Sequence, residues 1–144
     1  MILEADRSNI DVLSEMSCLL WKDAKPSELC KEYDEAMSCG DNAFFIKYAN
    51  GEAAGFAHCS LRRDYTEGAT SSPVGYLEAV FVKEKYRLTG YARELVAAAE
   101  EWARAKGCKE FASDCESVNA TSIAFHNAIG FVEANRIVSF VKKL

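Results

Sequence analysis

Apolar positions along the chain alternate between two spacings. Ile10, Leu13, Met16, Leu19 and Leu20 recur every three or four residues, which predicts a helix from a cap at Ser8 to about Trp21. Met1–Ala5 before it is short and apolar enough for a first strand. Pro26 suits a first helical position and Gly40 the end of a second helix. The runs Ala43–Tyr48 and Ala53–Leu61 flank Asn50-Gly51, a strong short hairpin signal. Arg62–Pro73 is polar and long for a hairpin connection, so Tyr65 within it is a candidate site residue. Gly75–Val82 reads as the central strand. Leu95, Val96, Ala99, Trp102 and Ala103 mark a helix from Gly90 to Lys106, stopped by Gly107. A short strand at Glu110–Ser113 completes a βαβ crossover, which predicts a parallel pair. Asn119–Ile129 reads as a last helix, and Phe131–Val141 as one or two closing strands, the final one Ile137–Val141. The order β, α, α, β, β, β, α, β, α, β predicts one mixed sheet with helices on both faces, an α/β (α+β) fold.

At 144 residues the chain is expected to form a single domain, residues 1–144. No apolar run is long enough to span a membrane. The opening MILEADRSN turns polar and acidic at once, unlike a signal peptide, so a cytoplasmic protein is expected. Six cysteines without a C-x-x-C pair, and only His58 and His126, give no zinc spacing, so no metal is expected and the cysteines read as small core fillers. A formal charge of −5 disfavours a nucleic-acid partner and permits a cationic one.

The most informative stretch runs from Tyr76 to Ala92. It is an apolar strand containing one carboxylate, Glu78, followed by a basic loop and the start of a helix. A strand feeding a helix N-terminus through a small-residue turn leaves backbone N–H groups free to hold an anion. Arg87-x-x-Gly90-x-Ala92 is neither a P-loop nor G-x-G-x-x-G. Downstream lies Asn119-x-x-Ser122-x-x-Phe125-His126-x-x-x-Gly130-Phe131.

These two motifs, in this order and one βα unit apart, resemble the GNAT acetyltransferase superfamily. LLW ending at Trp21, Tyr65 in its loop, and ASDCESVN after the next strand resemble more narrowly its small, dimeric, chromosomal aminoglycoside 6'-N-acetyltransferases. The resemblance implies a mostly antiparallel sheet with central splayed parallel strands. It also implies acetyl-CoA as acetyl donor, an aminoglycoside as cationic acceptor, drug resistance as the outcome, and a homodimer. Alternatives are a GNAT enzyme for another amine, such as a polyamine or a peptide N-terminus, and a non-catalytic CoA-binding module.

Roles follow residue by residue. The resemblance implies that Val80, Phe81 and Val82 meet the pantetheine amides. Arg87, with the backbone of Leu88, Thr89, Gly90, Tyr91, Ala92 and Arg93, would hold the pyrophosphate, and Asn119 a further part of the cofactor. The alternative for Arg87, which its setting beside the turn disfavours, is a solvated charge, and for Asn119 a helix cap. Tyr76, Glu78, Val80 and Val82 fall on one strand face by a period of two. Glu78 is either an ion-pair partner of Arg62 or Arg87, or the carboxylate that holds the amine and takes its proton, directly or through water. His126 stands where many relatives have the tyrosine that protonates the leaving thiolate; the alternative is a satisfied structural histidine. Asp114 is a loop residue or a substrate contact. Trp21 is a core residue ending a helix or a ring that faces the sugar, and Tyr65 is read as the latter. Asn135 stands where relatives often have a Glu that also touches substrate.

Overall fold

A computed structural model describes residues 1–144. Strands β1 (Ile2–Glu4), β2 (Asn42–Ala49), β3 (Glu52–Arg62), β4 (Val74–Val82) and β5 (Phe111–Ser113) form one sheet in the order β1-β2-β3-β4-β5. All neighbours are antiparallel except β4 and β5, which are parallel as the crossover predicts. Helices α1 (Ile10–Leu20) and α2 (Pro26–Ser38) cover one face, and α3 (Tyr91–Ala105) covers the other. The short α4 (Ala120–Ala128) follows β5 and adds Phe125 beneath α3.

The strand period of two explains the layering. Phe44, Ile46 and Phe56 point to Leu13 and Met16 of α1 and to Leu29 and Tyr33 of α2. Ala43, Phe45, Ala57 and Cys59 point to Leu95, Val96 and Ala99 of α3. Each fully buried Leu or Phe contributes about 1.5–3 kcal/mol. The hairpin turn has Asn50 and Gly51 at φ 52° and 79°, the left-handed pair a two-residue turn needs.

Three expectations are corrected. The cap before α1 is Asp6, not Ser8: Asp6 accepts from the Ser8 N–H at 2.8 Å and opens a short 3-10 turn at Arg7–Asn9. Of the six cysteines, Cys59 and Cys108 alone are buried. Burial pushes the Cys59 thiol up to about 12, which suits an inert core filler. The closing strands expected over Phe131–Val141 are not formed, and α4 is the last regular element. A strand needs a ladder partner, and β5 ends the sheet with none beyond it. The apolar pattern there faces outward instead, with Phe140 and Val141 93% and 95% exposed. No helix is long and apolar enough to cross a membrane.

Candidate active site

Two arrangements meet where β4 and β5 part. The strands pair only from Gly75–Phe111 to Leu77–Ser113; β4 then continues to Val82 while β5 stops. The β5-side edge of β4 from Glu78 to Val82 therefore has no strand beside it. Extended backbone of this kind can pair with amide groups of a ligand.

At the end of β4 the chain enters the anion cradle. Leu88 and Gly90 both take left-handed φ, 62° and 86°, which turns the peptide groups outward. From Leu88 to Arg93 no backbone N–H donates a hydrogen bond, and the first helical bond comes from Glu94 to the Gly90 carbonyl at 3.0 Å. Arg87 is held beside them by its Nε, which donates to the Val82 carbonyl at 3.0 Å. The loop is pinned from both sides. The Tyr86 hydroxyl and Lys85 both reach Glu52 near the hairpin turn. Buried Lys47 pairs with Glu94 in the first turn of α3. A row of free N–H groups at a helix N-terminus, with a guanidinium adjacent, fits the pyrophosphate of coenzyme A.

The second arrangement is a polar network around Glu78. The sequence reading placed Glu78 on one face with Val80 and Val82; the structure corrects this. His58 pairs with Ala79 and Cys59 with Leu77, so Glu78 is the extra residue of a β-bulge. Leu77, Val80 and Val82 face α3, whereas Ala79 and Phe81 face α1. The bulge turns the Glu78 carboxylate towards β3, where the Ser60 hydroxyl donates to it at 2.6 Å and Arg62 Nη2 at 3.0 Å to both oxygens. The ion pair with Arg62 is thus present, and that with Arg87 is not. Arg62 also lies 3.4 Å over the ring of Tyr76, whose hydroxyl donates to Asp114. Burial, then the bond to Asp114, pushes the Tyr76 phenol well above its usual range, so it remains a donor. Arg62 and Tyr76 link the two predicted carboxylates. Tyr76 was legible only as a neighbour of Glu78 on the strand.

A cavity of about 770 Å³, within the usual range for small-molecule sites, opens beside this network. Tyr65, Tyr76, Asp114 and His126 line it, together with Glu67 and Asn135, which lie on the Arg62–Pro73 loop and the C-terminal segment. Trp21, at the end of α1 and 42% exposed, is not part of this lining. Asn119 caps α4, its side chain accepting from the Ser122 N–H at 3.1 Å, which leaves its amide NH₂ free. His126 is spoken for on both ring nitrogens. Nδ1 lies 2.7 Å from the Ser122 carbonyl, which can only accept, so Nδ1 carries the proton. Nε2 lies 2.8 Å from the Ser113 hydroxyl and shares a hydrogen bond with it. Through these two bonds the ring ties β5 to α4. The other histidine, His58, is stacked on Phe44 at 4.1 Å, and burial pushes it down to about 4. No three His, Cys, Asp or Glu side chains are grouped to hold a metal ion.

Residues 13–131 match the model of the acetyltransferase (GNAT) family. An aminoglycoside N(6')-acetyltransferase type 1 of Serratia marcescens is 36% identical over 145 residues, covering 100% of this chain and 99% of that one. Among solved structures, AAC(6')-Iy in complex with the bisubstrate analog CoA-S-monomethyl-acetylneamine superposes with a TM-score of 0.95 at 34% identity, covering 100% of this chain and 98% of that one. AAC(6')-Ih from Acinetobacter baumannii gives a TM-score of 0.93 at 33% identity, with coverage of 100% and 98%. With its motifs, its parted parallel strands and relatives matched end to end, the chain belongs to the GNAT family of acetyltransferases.

Proposed function

We propose that the protein transfers the acetyl group of acetyl-CoA to the 6'-amine of an aminoglycoside, and so confers resistance to it. The relatives' names and the CoA–neamine complex support the substrate class. The observation that carries the reading to this chain is the cavity itself. It holds two carboxylates, Glu67 and Asp114, that neutral donors orient and no protein cation neutralises, beside the parted end of β4. Such a cavity favours a polycation.

The residues divide the work. The N–H groups from Leu88 to Arg93, with Arg87, hold the pyrophosphate, and the free edge at Val80–Val82 holds the pantetheine amides. Asn119 offers its NH₂ group to the same ligand. Bound there, the cofactor supplies an activated thioester. Glu78 Oε2 accepts only from Arg62 Nη2, so it retains lone pairs for the amine or for a water that takes the amine's proton. The amine attacks the carbonyl directly, backbone N–H near Val80 stabilises the oxyanion, and the C–S bond breaks to release a thiolate that takes its proton from solvent. Tyr65 and Asp114, which line the cavity, hold the sugar rings and their ammonium groups. Acetylation turns an ammonium into an amide and removes a charge from the drug.

Thiol release with acetyl-CoA and neamine tests this, alongside the analogue bearing a hydroxyl at 6'. Turnover of neamine alone, with the acetyl group on the 6'-nitrogen by NMR, is expected. Equal turnover of both would end the regiochemical assignment. Turnover of polyamines in place of neamine would reassign the substrate, and cofactor binding without transfer would leave a CoA-binding module.

His126 has a role in this scheme distinct from acid catalysis. His126→Asn is expected to lower kcat by no more than about tenfold, whereas loss of a general acid costs about 10²–10⁴-fold. The melting temperature should fall instead, because the two hydrogen bonds to β5 and α4 are worth about 1 kcal/mol each. A kcat profile that loses its alkaline limb would restore the acid role.

The protein acts as a homodimer in the cytoplasm. Six unpaired cysteines suit a reducing compartment. The exposed apolar side chains of Ile137, Val138, Phe140 and Val141 suit pairing with the open β5 edge of a second copy. Light scattering should give twice the 15.9 kDa of one chain, and Phe140→Asp should return it towards 15.9 kDa. A wild-type monomer at micromolar concentration would rule this out.

A further inference from the structure

The carboxylates of the cavity are held in different ways. Glu133 is neutralised by Arg136, and Arg62 is committed to Glu78. Glu110 gathers the Thr70 N–H and the Thr70 and Ser71 hydroxyls on one oxygen, which ties the loop to β5. Glu67 is held differently. Its Oε2 accepts from the Tyr65 hydroxyl at 2.6 Å, its Oε1 accepts from the Asn135 amide at 2.8 Å, and no cation pairs with it. An ionised carboxylate offers about four lone-pair sites, so about half of them remain open. The bonds from Tyr65 and Asn135 hold its carboxyl below the usual carboxylate range.

The local backbone builds this arrangement. A Cβ on Gly68 would lie 2.4 Å from Ala134 Cβ, and Gly68 sits at φ +79°. Only glycine lets the C-terminal segment approach the loop this closely and bring Asn135 onto Glu67. An independent feature lies next in sequence. Thr66 lines the same cavity, is 7% exposed, and its Oγ1 is the one buried side-chain polar atom without a hydrogen-bond partner. Buried polar groups are normally satisfied, so an orphan in a cavity wall points to a ligand group.

We propose that Glu67, with the Thr66 hydroxyl beside it, forms a subsite for an aminoglycoside ammonium group other than the one acetylated. This rests on the acceptor assigned above. Tyr65 and Asn135 are its positioning residues, each donating one hydrogen bond that fixes the carboxylate. The asparagine at 135 places no second charge against Glu67, so the carboxylate that meets the drug here is supplied by the loop.

The test is calorimetric binding of neamine to the CoA-saturated protein at several salt concentrations, with steady-state kinetics in parallel. Glu67→Gln keeps the shape and removes the charge. It is expected to weaken neamine binding about tenfold, flatten its salt dependence, and raise the KM for neamine while kcat and the KM for acetyl-CoA hold. Glu101→Gln, an exposed carboxylate on α3 outside the cavity, serves as the control for net charge and should change nothing. Binding by Glu67→Gln within twofold of wild type, or an equal loss in Glu101→Gln, overturns the subsite. If Glu67→Gln weakens binding but the wild type does not acetylate neamine, the subsite stands and the acceptor assignment falls. If the wild type binds no neamine, both fall.

Discussion

Glu78→Gln is expected to lower kcat by about 100- to 1,000-fold, within the range for loss of a general base. The substitution removes the proton acceptor and the charge while keeping the shape. Ser60 can still donate to the amide oxygen, so the bulge should survive. Arg62 loses its partner, but its side chain is 42% exposed and water can replace the carboxylate. The effect should therefore fall on turnover and leave both stability and the KM for acetyl-CoA close to wild type, because the cradle at Leu88–Arg93 is built from other residues. Arg62→Gln separates the two roles of the carboxylate: it breaks the same ion pair but keeps the base, and a loss below about tenfold is expected. If Arg62→Gln and Glu78→Gln were equally impaired, or if Glu78→Gln kept kcat within threefold, Glu78 would be a structural ion-pair partner and the base would lie elsewhere.

What the sequence revealed and what it hid follow from how local each feature is. The cradle was legible because a strand, an arginine, a glycine and a helix start lie within a few residues of one another. The α3 face and the Asn50-Gly51 turn were legible for the same reason. Glu78 stood out as a charge in an apolar strand, but its direction was misread. A strict period of two puts it with Val80 and Val82, and a bulge is set by pairing with β3, which no single strand displays. The bond between Asn135 and Glu67 joins residues 68 positions apart, so Asn135 looked like a lost contact when it is the support of another carboxylate. The His126 ring was recognised by motif position, yet Ser113 and the Ser122 carbonyl, which fix its tautomer, come from packing β5 on α4. The C-terminal apolar pattern reads as strand-like, but no strand forms there, because pairing is not written in the segment's own sequence and β5 ends the sheet without a neighbour.

Gly75→Ala should be among the most damaging single substitutions to the fold. Gly75 pairs with Leu61 on one side and Phe111 on the other, at the first point where β4 and β5 run together, before they part beyond Leu77 and Ser113. An added Cβ would lie 2.6 Å from Phe111 Cδ1 and 2.7 Å from Ala103 Cβ. The Phe111 ring can tilt away, but Ala103 sits in α3, 2% exposed and fixed by its helix. The helix must lift from the sheet, and overpacking of this kind costs about 2–3 kcal/mol. At this chain length that corresponds to a melting temperature lower by about 10 °C. The site should be spared at low temperature, because the displaced end of α3 is its C-terminus and the cradle lies at its N-terminus; the KM for acetyl-CoA is the readout. Ala103→Gly provides the discriminating measurement. Alone it costs about 1 kcal/mol in helix propensity. Combined with Gly75→Ala it removes the clashing methyl, so the double variant should be more stable than Gly75→Ala alone, a coupling only direct contact produces. Strict additivity of the two would mean that α3 does not rest on Gly75, and that the strands are held together before their divergence by something other than this close packing.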